Sequence, residues 1–301
     1  MSGDRPRTLV IGASGFVGRA LVDSLRRRGW EVLGTHHTRP VPGGLPLDIR
    51  REAEVAACLA RHAPVLVALC AADPNVDYCE THPREAAAVN VEGTAHVAAT
   101  TARLGARLVY FSSDYVFDGT AGPYRETDLT NPLSEYGRQK VQAEALVRRL
   151  VRDSLILRVT VLYGWEAQGK NFLERLVRTL RRGESIRVPT DQWGNPTLVT
   201  NMTAIAAEVA THGAPGVYHV AGPDWMDRCT FARRVADIWA LDASKIIGVP
   251  SVELGQVARR PLRAGMLTER LAGAVAVRPM GVAEGLAWLH AHPGPLESLD
   301  G

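Results

Sequence analysis

At 301 residues the chain is long enough to bury a full core, in one large or two medium domains. An apolar fraction of 46% with 22% charged residues is that of an ordinary soluble globular protein, and a formal charge of +3 is too slight for a dedicated nucleic-acid binder. The longest apolar run, residues 65–72, is far too short to span a bilayer.

Cys58, Cys70, Cys79 and Cys229 show neither C-x-x-C nor Cys/His metal spacing, which suits reduced thiols. The N-terminus leads into a strand without the apolar core of a signal peptide. A cytoplasmic protein with no membrane contact is therefore expected.

In chain order, Thr8–Gly12 reads as a short buried strand and Gly12, Gly15 and Gly18 follow it in GASGFVG. Residues 19–28 then have helical spacing and end at Gly29. Strand, spaced glycines and helix form the context in which a G-x-x-G-x-x-G run binds a dinucleotide, with the pyrophosphate at the helix N-terminus. A second strand, Trp30–Thr35, runs into Thr35, His36, His37, Thr38 and Arg39. An NAD-preferring site usually carries a carboxylate here for the ribose 2′-hydroxyl. None is present, and Arg39, helped by His37, suits a 2′-phosphate, which favours NADPH over NADH. No third metal ligand accompanies the histidine pair, so a solvated loop is the reading preferred to a metal site.

Leu45–Ile49, with Asp48 inside it, is a third strand edge, and Arg51–His62 is a helix. Ala63–Ala72 is the continuous apolar run of a parallel strand covered on both faces. Pro83–Gly105 reads as one long alanine-rich helix, Arg107–Ser113 as a strand, Leu133–Val151 as a helix and Ser154–Tyr163 as a strand. This alternation predicts an α/β fold with a doubly wound parallel (Rossmann) sheet. From about Gly164 the rhythm changes. Phe172–Arg182, Cys229–Leu241 and Gly281–His290 are helices among proline-bearing segments, the loop Thr190–Pro196 lies between them, and Gly216–Gly222 is one more strand. The expected division is a dinucleotide-binding domain at 1–164 with a returning segment near 198–221, and a smaller substrate-binding lobe at 165–197 and 222–301.

Within the helix at 133–151, Tyr136 and Lys140 are four residues apart and share one face. A free phenol, with a pKa of about 10, exchanges its proton poorly near neutrality. A fixed cation beside it favours phenolate and brings that proton into range. Such pairs also occur on ordinary solvated helices, but this chain has only three lysines, Lys140, Lys170 and Lys245. Ligands of a doubly wound sheet sit beyond the carboxyl ends of its strands. The glycine loop, Ala71 and Ala72, Ser112–Asp114 and Tyr163 all follow predicted strands. One edge therefore collects a nucleotide site, a hydroxyl, a phenol and an ammonium.

On the stretches GASGFVG, CAADPNVDYCETHPREAAAVNVEGT, YFSSDYVFDGT, PYRETDLTNPLSEYGRQKVQAE, DQWGNPT and RRPLRAGMLTERL, the chain resembles the extended short-chain dehydrogenases/reductases, and within them the dTDP-4-dehydrorhamnose reductase group. The resemblance implies NADPH-dependent reduction of a nucleotide-linked 4-keto-6-deoxy sugar. Tyr136 would be the proton donor, Lys140 would hold the nicotinamide ribose and depress the Tyr136 pKa, and Ser113 would hydrogen-bond the keto oxygen. The cofactor set it implies is Gly12, Ser14, Gly15, Phe16, Val17, Gly18, His37, Arg39, Asp48, Ile49, Ala71, Ala72, Asn90, Lys140 and Tyr163. The sugar-side set is Asp114, Tyr115, Val161, Asn171, Gln192 and Arg260, with no metal. A homodimer through helices near 84–104 and 134–150 is implied as well.

Two stretches depart from the family pattern on the substrate side. The strand element R-T-S-W-V-Y reads RVTVLY here, so Val161 stands where a tryptophan is expected beside the sugar, and R-P-x-x-S is blurred to Arg260–Ala264. The chain also resembles the regulatory β subunit of methionine adenosyltransferase, which implies cofactor binding without turnover as the alternative. A sugar-nucleotide epimerase or dehydratase is the third reading.

Overall fold

The computed structural model describes residues 6–166 and 168–294. The chain opens with β1 (Arg7–Ile11), α1 (Phe16–Arg27), β2 (Glu31–His36), β3 (Leu45–Pro46), α2 (Glu52–His62) and β4 (Leu66–Leu69). Two short helices, α3 (Val76–Thr81) and α4 (Pro83–Ala87), lead through one stretch of π-helix at Ala88–Gly93 into α5 (Thr94–Arg103). There follow β5 (Arg107–Ser113), α6 (Glu135–Leu150), β6 (Ser154–Val159), β7 (Leu162–Tyr163), α7 (Phe172–Arg181) and β8 (Ile186–Pro189). The remainder runs β9 (Trp193–Gly194), β10 (Thr197–Leu198), α8 (Val199–His212), β11 (Gly216–Val220), β12 (Met226–Asp227), α9 (Arg228–Ile238), β13 (Ile246–Val249), α10 (Glu269–Ala272) and α11 (Val282–Ala291).

Seven strands make one sheet in the order β11-β6-β5-β4-β1-β2-β3, and each neighbouring pair is parallel. The strand order reverses between β1 and β4, so their carboxyl ends splay apart and open a crevice. The strands from β11 to β1 are largely buried because helices cover both faces, while β2 and β3 at the edge are more exposed. Val10, Ala68, Val109, Leu155 and Leu157 pack with α1 and α8 on one side, and Leu9, Val67, Leu108 and Ile156 with α2, α5 and α6 on the other. A separate apolar cluster joins α7, α9 and α11 through Leu176, Phe231, Val235 and Leu286. Among the described residues no helix is long and apolar enough to cross a membrane.

Three expectations from the sequence change here, and one helix was not foreseen. The strand expected at 154–163 breaks after Val159, and Val161 sits at φ +41°, a left-handed conformation costly for a β-branched residue. After the break, β7 pairs with β10 outside the main sheet. The helix expected at 83–105 is interrupted by the π-helical turn, whose Asn90 hydrogen-bonds the loop after β4 rather than continuing a solvent-facing pattern. The strand expected at 63–72 shortens to Leu66–Leu69 because Ala63 takes the left-handed cap of α2. Helix α8 carried no legible periodicity: ten of its fourteen residues are buried, so it shows no polar stripe. It lies on α1, tied by a Ser24–Thr203 hydroxyl bond of 3.0 Å and an Arg28–Glu208 pair of 3.1 Å.

Candidate active site

The glycine loop follows β1 because nothing larger fits. Gly12 takes φ +88°, and a Cβ there would stand 2.7 Å from the Ala71 nitrogen. A Cβ on Gly18 would fall 2.2 Å from the Gly12 carbonyl oxygen, so only glycine lets α1 close on the loop. Beside it lies a cleft of about 320 Å³ lined by Gly12, Ser14, Gly15, His37, Arg39, Asp48, Ile49, Ala71 and Ala72. Nine of the expected cofactor residues thus share one cavity at the switch in strand order. Phe16 and Val17 pack against the core instead. Asp48 accepts from Arg50 (Nε to Oδ1 2.9 Å, Nη2 to Oδ2 2.7 Å), which holds its carboxyl down at about 2, and His37 stands 3.6 Å away. Arg50, also lining the cleft, was not foreseen.

Asn90 and Tyr163 do not reach the cleft. Asn90 is buried and braces the site: it accepts from the Asp73 amide (2.8 Å) and donates to the Asp73 carbonyl (3.1 Å) and to Gln139 of α6 (2.9 Å). Tyr163 turns into the apolar cluster of the C-terminal helices, 5.2 Å from Phe231 between ring centres. The break at Val161 removes it from the sheet edge where a continuous strand would have held it.

Ser134 caps α6 by accepting from the Gly137 amide at 3.3 Å, and the helix then presents Tyr136 and Lys140 to the end of β5. Gly137 is needed there, since a Cβ would lie 2.2 Å from the Tyr115 carbonyl oxygen. Tyr136 and Lys140 are both buried. The Lys140 Nζ donates to the Phe111 carbonyl at 2.9 Å and lies 4.9 Å from the Tyr110 ring centre and 5.7 Å from that of Tyr136. Burial pushes Lys140 down to about 8. It pushes the Tyr136 phenol well above its ordinary value, with the hydrogen-bonded Ser113 hydroxyl pulling the other way. Desolvation is the largest influence on the phenol, and the Lys140 proton is directed to a backbone carbonyl.

Ser113 accepts from the Tyr115 amide (3.2 Å), capping the turn at 114–116, and donates to Asp114 Oδ1 at 3.0 Å. Asp114 also accepts from Thr160 at 2.5 Å, and burial raises its carboxyl to about 6. Tyr115 meets Tyr136 edge-on at 5.7 Å. Beyond Tyr115 the cationic side chains gather. Arg260 pairs with Asp77 at 2.9 Å and stands 5.9 Å from the Tyr115 ring, with its Nη1 buried and unpartnered. Arg228 and Arg175 flank the Phe172 ring at 5.6 and 5.9 Å. Burial and the charges of Arg175 and Arg260 lower the Arg228 pKa, with Tyr115 and Asp114 opposing. Arg175, Arg228 and Arg260 thus lie close enough for their charges to act on one another near Tyr115. Sequence reading reached Arg260 but missed Arg175 and Arg228, which belong to no motif. Their only signal was arginine on helices opening beside the lobe's loops.

The remaining sugar-side candidates divide. Val161 packs against the β9 backbone, where a Cβ on Gly194 would meet it at 2.8 Å. Gln192 bonds Gln256 at 2.8 Å within the lobe. Asn171 serves α7 as its N-cap, accepting from the Glu174 amide at 3.2 Å and donating to the Gly164 carbonyl at 2.9 Å. Among the described residues no group of His, Cys, Asp and Glu side chains is arranged to hold a metal.

The family model described as RmlD substrate binding domain matches residues 6–291. A dTDP-4-dehydrorhamnose reductase of Streptomyces griseus is 36% identical over 85% of this chain and 84% of its own length. Methionine adenosyltransferase 2 subunit beta of Xenopus tropicalis is 30% identical over 84% of this chain and 78% of its own. Among solved structures, a dTDP-4-dehydrorhamnose reductase of Bacillus anthracis in complex with NADP superposes with a TM-score of 0.88 at 26% identity, over 96% of this chain and all of that one.

Proposed function

The chain belongs to the RmlD substrate binding domain family, and from that premise we propose that it is an NADPH-dependent reductase of a nucleotide-linked 4-keto-6-deoxy sugar. The observation that carries this reading is a buried Tyr136 packed against the end of β5, with Ser113 and Lys140 beside it, in a fold whose glycine loop opens on a cleft at the switch in strand order.

The residues fit the cofactor. Gly12, Ser14 and Gly15 would take the pyrophosphate at the α1 N-terminus, and Arg39 with His37 the adenosine 2′-phosphate. Asp48 and Ile49 would border the adenine and Ala71 and Ala72 the nicotinamide side, and Lys140, outside the cleft lining at the end of β5, would hold the nicotinamide ribose. NADPH, when bound, supplies the hydride. Tyr136 donates its phenolic proton to the keto oxygen as negative charge develops there, leaving a secondary alcohol and a phenolate that regains its proton from solvent. Ser113 turns its hydroxyl from Asp114 to the same oxygen. The Lys140 ammonium stabilises the transient phenolate. Arg175, Arg228 and Arg260 would hold the nucleotide diphosphate, with Tyr115 walling the sugar.

The test is anaerobic incubation of purified chain with NADPH and dTDP-linked 4-keto-6-deoxy sugars, following 340 nm absorbance and the product. Stoichiometric oxidation that vanishes in Tyr136→Phe supports the proposal. NADPH that binds but is never consumed, together with a co-purifying synthetase, would instead favour the regulatory-subunit reading that the 30% identical relative raises.

A further inference from the structure

Beneath Lys140 lies a buried ion pair that the proton transfer does not use. Glu144 follows Lys140 by four residues on α6, so it lies one turn further along the same face. Its side chain is 0% exposed and that of Arg158, on β6, is 2% exposed. Arg158 meets it with two parallel bonds, Nε to Oε1 at 2.9 Å and Nη2 to Oε2 at 2.8 Å. The Ser112 hydroxyl, next to Ser113 on β5, donates to Oε1 at 2.6 Å. On its outer side Arg158 lies 3.4 Å from His219 Nε2 and 5.1 Å from the Phe117 ring.

A pair like this is a poor investment in stability alone, since desolvation costs several kcal/mol per ion and apolar replacements are often neutral or better. Its geometry suggests another use. Lys140 and Glu144, one turn apart, grip consecutive residues of β5: Lys140 holds the Phe111 carbonyl and Glu144 the Ser112 hydroxyl. That double grip fixes the height of the strand end, and with it Ser113, against the helix that carries Tyr136. The groups facing Lys140 from the packed elements are Cys79 of α3, Cys70 after β4, Tyr110 of β5, and Tyr136 and Glu144 of its own helix. Burial raises both thiols and both phenols, so each of these is neutral near pH 7. Of the whole set, Glu144 acts most strongly in favour of the Lys140 ammonium.

We propose that Glu144 is a positioning residue, clamped by Arg158 and Ser112, that sets α6 against β5 and keeps the buried Lys140 charged for the site. This rests on Lys140 serving the site as an ammonium, as in the reductase reading above.

With three lysines in the chain, 13C,15N-lysine labelling of the full-length protein resolves the titration of Lys140, identified by the signal lost in Lys140→Met. The wild-type midpoint is expected near 8. In Glu144→Gln it should fall by about one unit or more, a tenfold change in the protonation equilibrium. Glu144→Gln/Arg158→Met removes both charges of the pair, so Arg158 is not left buried without its partner and thermal stability should recover while the Lys140 midpoint stays low. A folded double variant with a wild-type midpoint overturns the proposal, and so does a double variant that cannot fold, since the pair would then serve the fold itself. The titration needs neither NADPH nor a sugar. Its outcome is therefore separate from whether any keto sugar is reduced.

Discussion

Lys140 and Tyr136 share one face of α6, yet the Lys140 ammonium is turned to the Phe111 carbonyl at 2.9 Å and stands 5.7 Å from the Tyr136 ring centre. Under the proposed reductase reading the cation would stabilise a phenolate once it forms, and burial favours the protonated phenol beforehand. That order suits a group that gives a proton in the reductive direction.

Replacing Tyr136 by phenylalanine removes the proton and little volume. The turnover number should fall by about 10²–10⁴-fold, the usual contribution of a positioned general acid. NADPH affinity, followed by its fluorescence, should not change. A variant with wild-type turnover would remove Tyr136 from the chemistry.

Lys140 gives opposed pH trends. Activity that needs its ammonium is full below about pH 8 and declines above it. Because burial lowers the folded-state pKa from 10.5, folding penalises the charged form, and the penalty disappears as pH rises from about 8 to 10.5. The stability advantage of Lys140→Met over wild type should therefore shrink across that window, by up to about 3 kcal/mol. Paired thermal or urea denaturation at pH 7 and pH 10 reads this difference.

Arg39 lines the cleft where β2 ends without a carboxylate. Arg39→Ala should weaken NADPH binding by about 1.5–3 kcal/mol, the value of a charged hydrogen bond, and leave NADH nearly unaffected. Equal losses for both cofactors would mean that Arg39 does not read the 2′-phosphate.

Arg228 sits between Phe172 and the Tyr115 wall. Arg228→Met should raise KM for a nucleotide sugar by about 10- to 100-fold through the lost charge-assisted contact. Because the arginine crowds Arg175 and Arg260, stability should hold or rise. Steady-state kinetics with calorimetry at fixed NADPH separate the two effects.

Glu174 is a buried carboxyl raised to about 7, with one oxygen unpartnered and the other accepting from the Glu166 amide at 2.8 Å. Between pH 4.5 and 7 the unfolded chain ionises this group and the folded chain resists, so its contribution to stability falls as pH rises. Glu174→Gln keeps the Glu166 contact and cannot ionise. Its melting temperature should exceed that of wild type at pH 8, by an amount on the order of 1 kcal/mol, and converge with it at pH 5.

The sheet was legible because its evidence is local. Glycines at 12, 15 and 18, β-rich apolar runs, and the Tyr136–Lys140 spacing each express one element's own geometry. The same is true of the cleft: Gly12, Arg39, Asp48 and Ala71 lie just past strand ends, and a parallel sheet aligns those ends whatever the rest of the chain does.

What only the tertiary structure decided was set by desolvation and by neighbours distant in sequence. Sequence spacing put Lys140 beside Tyr136, but burial, rather than that charge, governs the phenol. Asn90 and Tyr163 left the cleft because a π-helical turn and a left-handed Val161 redirect them, and neither feature has a sequence signature strong enough to predict. Arg175, Arg228 and Arg260 come from separate segments and meet only when the C-terminal helices pack. Periodicity along one element could not have revealed that convergence, because charge density in a pocket belongs to the assembled surfaces.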